Sequence, residues 1–429
     1  MIVNQNQGAP KGFLTILIGP WIFYLIIFFL FDVKFISFNK IVIVPILFAI
    51  ILSVLFFLVG YKHSYDNEIY KTYLIKKNVK THLEDPPYIK LLIFLALFGS
   101  IFSLYFDVIR TLNNDTFFNL RAQGDPLLYS LRISKSMEVA ITGSNLQLIS
   151  KALFPISFFF YISNFAQKYI FYKWLIIFLS LTDCLVTGGR FYFLYFFIIF
   201  ILSYSYFNKI KLLEYLKLKY IVLLIICFLL LLWSFSLRMP PNLDLLSYYK
   251  YSMGIETIAL ENKDFGIFNN LKDSFLAFII YIVHSLYFLS IHYEQFAFDA
   301  FAYGGYTFNL IFRIFNTLFD TSFLPIQDFF ATDLTSGKYA TFAKTFISDF
   351  GFFGMLIIYS ICSYFFGISY NYRNLYSSFS VIYYWLLTFF IIAPMKGIIS
   401  SGFINLMFFY LIFYALIETK KRYPNQMYS

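Results

Sequence analysis

Long apolar stretches separated by short polar ones dominate this chain. Runs of membrane length, or close to it, occupy residues 13–31, 41–60, 91–106, 152–165, 174–187, 191–207 and 220–237, and then 275–291, 351–370, 379–393 and 402–417. Each reads as a membrane helix; several are shorter than the roughly 20 residues a crossing needs, so their ends must extend into polar flanks. Pro20, Pro45 and Pro155 fall inside these runs, which membrane helices tolerate better than soluble ones. The first run is long, has only Lys11 before it and no small-residue cleavage site after it, so it reads as a first membrane helix and not as a signal peptide.

Composition agrees with the pattern. Of 429 residues, 60% are hydrophobic, 24% aromatic and only 13% charged, with mean hydropathy +0.71. Soluble domains carry about 25% charged residues, so too few remain here to coat a water-facing surface. A buried soluble core explains one long apolar run, not a series of them. The expected fold is all-α, a polytopic transmembrane helix bundle of 10–12 spans forming a single integral membrane domain over 1–429.

Charge changes the picture by setting orientation. The net +10 would suit nucleic acid if it formed a stripe, but the lysines concentrate between apolar runs, as membrane topology requires. Lys62, Lys71, Lys76, Lys77, Lys80 and Lys90 lie in the linker 61–90, Lys209, Lys211, Lys217 and Lys219 in 208–219, and Lys420, Lys421 and Arg422 in the tail. Lys168, Lys173 and Arg373 fall on the same side, which is placed in the cytoplasm with both termini. Eleven crossings would put the ends on opposite sides. The region 275–344 carries that conflict: either 275–291 dips in and out, or 306–319 crosses despite Arg313. Three connections, 107–151, 238–274 and 292–344, fall on the outer side, too long for turns and too aromatic for disorder, and are expected to fold over the outer mouth of the bundle. Cys184, Cys227 and Cys362 lie singly within spans, without metal or disulfide spacing.

Ionisable groups at membrane depth are costly and mark candidate chemistry. Arg190, in Thr187-Gly188-Gly189-Arg190, opens a span; Gly188 and Gly189 allow close backbone approach to a ligand, and guanidinium binds phosphate oxygens in pairs. A hairpin turn with a snorkelling arginine is the alternative. Asp183, seven residues earlier, shares its helix face and could position Arg190. Arg238 leaves the membrane on the outer side, against the usual bias of arginine, and Arg313 sits in an apolar stretch. His284 lies mid-span, followed by His292, Glu294 and Asp299 at spacings that do not suit a helical metal site. Tyr339, Thr341 and Asp349 belong to a late cluster, with Asp349 at the mouth of the following helix, where an acid also suits the helix N-terminus. No nucleotide-binding fingerprint is present.

Three places resemble the oligosaccharide repeat unit polymerases (O-antigen polymerases, Wzy type): the Thr-Gly-Gly-Arg turn at 187–190, Tyr303-Gly304-Gly305-Tyr306-Thr307-Phe308, and Tyr339-Ala340-Thr341-Phe342 running into Asp349-Phe350-Gly351-Phe352-Phe353-Gly354. Ala340 and the lack of an acidic partner beside Arg238 depart from that family's pattern. The resemblance implies a glycosyltransferase with GT-C-like architecture in the bacterial inner (cytoplasmic) membrane. Its donor and acceptor would be undecaprenyl-pyrophosphate-linked oligosaccharides, and it would build O-antigen or capsular polysaccharide in lipopolysaccharide or polysaccharide biosynthesis. A chain-length regulator protein is an implied partner. On this reading Arg190, Arg238 and Arg313 bind pyrophosphate, Asp349, Glu294 or His284 is the base, and neither metal nor other cofactor is required. An O-antigen ligase shares donor and architecture; a lipid-linked oligosaccharide flippase or a small-solute transporter is the alternative from another class.

Overall fold

The computed structural model describes residues 12–67, 88–113, 145–163, 165–187, 190–207, 244–296, 341–374 and 376–395, with a few isolated positions besides. The regular secondary structure among the described residues is helical apart from one two-stranded ribbon. Helix α1 (Phe13–Leu17) leads directly into α2 (Gly19–Leu30), the join lying where Pro20 cannot continue the amide ladder. After β1 (Lys34–Phe35) and a turn of 3-10 helix come α3 (Ile43–Asp66), α4 (Ile89–Asn113) and α5 (Asn145–Leu153). A buried 3-10 segment, Phe154–Tyr161, follows. Next are α6 (Ile170–Thr187), α7 (Arg190–Phe207), α8 (Leu245–Ser252) and β2 (Ile255–Thr257). The last are α9 (Asn269–Phe296), α10 (Ala343–Tyr372) and α11 (Ser377–Ile392).

Among the described residues, four stretches are long and apolar enough to cross a membrane: Lys40–Asp66, Ile89–Ile109, Gly266–Glu294 and Phe346–Tyr372. Their sidedness is inverted relative to a water-soluble bundle. On α3 the buried line runs Ala49, Ser53, Phe57, Gly60, Ser64, while Leu47, Phe48, Ile51, Leu55 and Val59 face outward. On α4, Ile93, Ala96, Ser100, Ser103 and Asp107 turn inward at heptad-like spacing, and Phe94 is 62% exposed. Small and polar groups inside with large apolar groups outside is the arrangement hydrocarbon rewards, because lipid offers an apolar side chain no penalty and small residues let helices approach. Helix α9 is the central element: 72% of its most apolar window is buried, against 33% for α3 and for α4.

The tightest seam joins α3 to α10. A Cβ on Gly60 would strike the carbonyl of Tyr364, and one on Gly367 the backbone of Phe57 and Tyr61. Asn371 Nδ2 then donates to Tyr61 O at 2.9 Å and Ser64 Oγ at 2.7 Å. The contacts rise together along both helices (Phe57 with Phe366, Tyr61 with Tyr370), so α3 and α10 run parallel.

Four expectations change. The run 152–165 is not one α-helix: Pro155, without an amide proton, stands where α5 gives way to the 3-10 segment. Nine α residues and then eight 3-10 residues follow one another there, so the helical segment starts earlier than the apolar run, in its polar flank. The connection 107–151 is shorter than expected, because Asp107 lies inside α4 and Lys151 inside α5, each stabilised in the interior by the other. Helix α9 is continuous over 28 residues and does not dip in and out. The reversal occurs instead inside α10, where Gly351 (φ 68, ψ −173) breaks the helix. Phe342 stacks on Tyr359 with ring centroids 4.0 Å apart, whereas residues 342 and 359 of one straight helix would stand roughly 25 Å apart. Residues 343–350 are therefore an arm folded back along 352–372.

The described part of the expected outer connection 238–274, residues 244–274, is folded. Asp244 caps α8 through Ser247 N (2.8 Å), and Gly254 (φ 67) ends it in a left-handed turn against the ring of Tyr287, where no side chain fits. Strand β2 pairs antiparallel with β1, placing Lys34 opposite Thr257. Lys250 bonds Glu261 at 2.5 Å and Lys272 caps the carbonyls of Glu261 and Lys263. The turn between α2 and α3 and the segment before α9 thus lie at one end of the bundle.

Candidate functional site

Two polar constellations are buried in the helix bundle. The first joins α4, α5 and α6. Lys151 Nζ contacts the Asp107 carboxylate, donates to Ser103 Oγ at 2.7 Å and lies 3.9 Å from Asp183 Oδ2. Ser103 Oγ donates to Asp183 Oδ2 at 3.0 Å. Gly99 permits this convergence, since a Cβ there would meet the backbone of Leu153 and Phe154. Charges in such a place survive only when paired and hydrogen-bonded. Asp183 is four residues from the end of α6, so the cluster lies near that end of the helix. Arg190 is the first residue of α7; its side chain lies outside the described residues, and the partners of Asp183 include Lys151, Ser103 and Asp107.

The second constellation surrounds the bend of α10. Asp349 is 1% exposed, two residues before Gly351. The expected helix mouth at 351 is therefore present as the bend, although helical structure begins eight residues earlier. Ser348 Oγ is 2.5 Å from His292 Nε2 of α9 and donates to Lys344 O at 2.9 Å. His292, Ser348 and Lys344 are all buried. Thr341 is buried at the start of the arm, its Oγ1 accepting from Ala343 N at 3.3 Å. The start of α10 meets the end of α11 there, and α9 joins them: Phe342 N donates to Ala393 O at 2.9 Å, and Ser285 Oγ to Pro394 O at 2.7 Å.

Of the proposed bases, Asp349 alone combines burial with a helix break. His284 is buried between Tyr281 and Phe288, with Nδ1 3.2 Å from Ile280 O, a packing environment. Glu294 is exposed near the end of α9. Gly188, Gly189, Arg238, Arg313, Tyr339 and the runs 220–237, 306–319 and 402–417 lie outside the described residues. Sequence reasoning missed Asp107, Lys151 and Ser103, for which the signal was the continued heptad spacing through 93, 96, 100, 103 and 107. It also passed over the His292–Ser348 pair, because these residues are adjacent only through the reversal at Gly351. Among the described residues no three His, Cys, Asp or Glu side chains converge as a metal centre requires.

Away from the spans, Asp244 is the perturbed acid with a structural consequence. Partial burial alone would raise its carboxyl, but the Ser247 hydroxyl and amide, the Leu246 amide and the charge of Lys272 hold it below the ordinary carboxylate value.

A bundle with small residues at its seams, apolar side chains on its outside and buried charge clusters defines a polytopic helical membrane protein. Comparison with protein families, curated proteins and solved structures finds no match to this chain.

Proposed function

We propose that the chain is a membrane-embedded glycosyltransferase that polymerises undecaprenyl-pyrophosphate-linked oligosaccharide repeat units at the outer face of the bacterial inner membrane. The observation that carries this reading is Asp349, a carboxyl buried at the break of a folded-back helix, within the motif that resembles the repeat unit polymerases. In the reaction an acceptor sugar hydroxyl attacks the anomeric carbon of the donor. Its C–O bond forms as the anomeric bond to pyrophosphate breaks, the electron pair leaves with the pyrophosphate, and the hydroxyl proton passes to Asp349. Arg190, Arg238 and Arg313 neutralise the departing charge. The energy comes from the pyrophosphate linkage. The buried Lys151–Asp107–Asp183 cluster favours a second reading, a lipid-linked oligosaccharide flippase, in which such charges line the transport path.

The test is the gel profile of surface polysaccharide from a strain lacking this chain, complemented with wild type, Asp349→Asn or Arg190→Ala. Polymerisation predicts a profile stopped at one repeat unit in the deletion strain, restored by wild type and by neither variant at equal protein level. Loss of all surface polymer identifies a ligase or flippase instead. A normal ladder in the deletion strain excludes the reaction, and a normal ladder with Asp349→Asn excludes that base.

A further inference from the structure

The folded-back arm 343–350 carries Asp349, so whatever holds the arm decides where that carboxyl sits. Its beginning is fixed by Phe342, stacked on Tyr359 and bonded through its amide to Ala393 O at 2.9 Å. Its end adjoins Gly351, whose positive φ and missing Cβ make a bend other residues adopt only with strain. Near that end α9 reaches the arm through His292. His292 Nε2 stands 2.5 Å from Ser348 Oγ, and both residues have 0% exposure. The Ser348 hydroxyl has a single proton, which it gives to Lys344 O along its own helix at 2.9 Å. Its oxygen then accepts, and the imidazole donates.

We propose that this bond is a catch: His292 acts as a hydrogen-bond donor that latches the arm onto α9, and Ser348 thereby positions Asp349, the next residue. His292 is on this account a positioning residue and not the base. Its consequence for catalysis rests on the polymerase reading; its structural role does not. Donor and base are separable by substitution. Glutamine carries an N–H close to the position of Nε2 and cannot take a proton in the working pH range, whereas leucine fills the space with neither capacity.

The experiment uses the full chain in lipid nanodiscs and follows amide hydrogen exchange in wild type, Ser348→Ala, His292→Leu and His292→Gln. Loss of one buried hydrogen bond should accelerate exchange over 343–350 by about tenfold in Ser348→Ala and His292→Leu, with α3 and α4 unchanged. His292→Gln should exchange like wild type. Polysaccharide chain length in cells should follow the same order, and the pH profile of His292→Gln should match that of wild type. Unchanged exchange of the arm in His292→Leu overturns the catch, as does acceleration spread equally over α3 and α4. Exchange in His292→Gln as fast as in His292→Leu overturns the donor role. If the arm responds as expected while a deletion strain keeps a normal ladder, the polymerase reading fails and the catch stands.

Discussion

Lys151 contacts one carboxylate directly and stands 3.9 Å from another, inside a bundle where an uncompensated charge is expensive. Replacing it with methionine keeps the volume and removes the cation. The expected cost is about 3 kcal/mol of stability in detergent, the range for breaking a buried pair by removing one partner. Adding Asp107→Asn should return a large part of that loss, and additive effects in the double-mutant cycle would show that the two side chains do not communicate. Asp183 was visible in the sequence because it interrupts an apolar run. Lys151 and Asp107 were not, because residues 107–151 are polar enough to read as a loop, and only the turn periodicity of α4 carries Asp107 inward. The late Asp-Phe-Gly motif was legible as a helix mouth, but its glycine is the signature of a reversal that no local pattern announces.

At the scale of elements, the seam between α3 and α10 sets two effects against each other. Gly60 and Gly367 allow backbone contact, and Asn371 bridges the helices with hydrogen bonds. Interhelical hydrogen bonds in membranes are worth about 0.6 kcal/mol on average, whereas overpacking costs about 1–3 kcal/mol. Gly367→Ala should therefore destabilise the chain more than Asn371→Ala, read as the denaturant needed to unfold each variant in mixed micelles. The reverse order would make polar bonding the dominant force in this seam. Helix α8 obeys different rules because it lies outside the spans. Its Asp244 cap is worth about 1 kcal/mol, the usual cost of replacing such a residue with alanine. Because folding depresses the Asp244 carboxyl, its contribution is complete above the unfolded value, about 3.9, and is lost as pH falls through the lower folded value. Protection of the α8 amides, taken relative to intrinsic exchange at each pH, should fall below about pH 4 in wild type, while Asp244→Asn, which can still accept from Ser247, should flatten that dependence.

For the whole molecule, the ribbon and the α3–α10 seam fix relative sidedness without any assumption about charge. Strand β1 follows α2, strand β2 precedes α9, and their pairing brings both connections to one end. Because α3 leaves that end and α10 runs parallel to it, Arg373, at the end of α10, belongs at the other. There it lies against Tyr206, Tyr370 and Tyr383, with its guanidinium 3.8 Å from the centre of the Tyr370 ring. Lysine and arginine placement in the sequence gives the same division independently, assigning the Arg373 end to the cytoplasm. The crossing number was not legible, since hydropathy cannot distinguish a straight helix that crosses from one that folds back on itself, as α10 does at Gly351. Sidedness is open to direct measurement in intact cells with a membrane-impermeant thiol reagent, after Cys184, Cys227 and Cys362 are replaced by serine. Tyr251→Cys, at a position 87% exposed, and Ile36→Cys should both label from outside. Asn374→Cys, beside Arg373, should label only after permeabilisation. Labelling of the first two from opposite sides would break the ribbon, because residues paired in one sheet cannot lie across a bilayer. Labelling of all three from outside would instead break the parallel course of α3 and α10. Inversion of the whole pattern would leave the fold intact but move Asp349 and the arm mouth to the cytoplasmic face. Polymerisation of an outward-facing glycan would then have no access to its base.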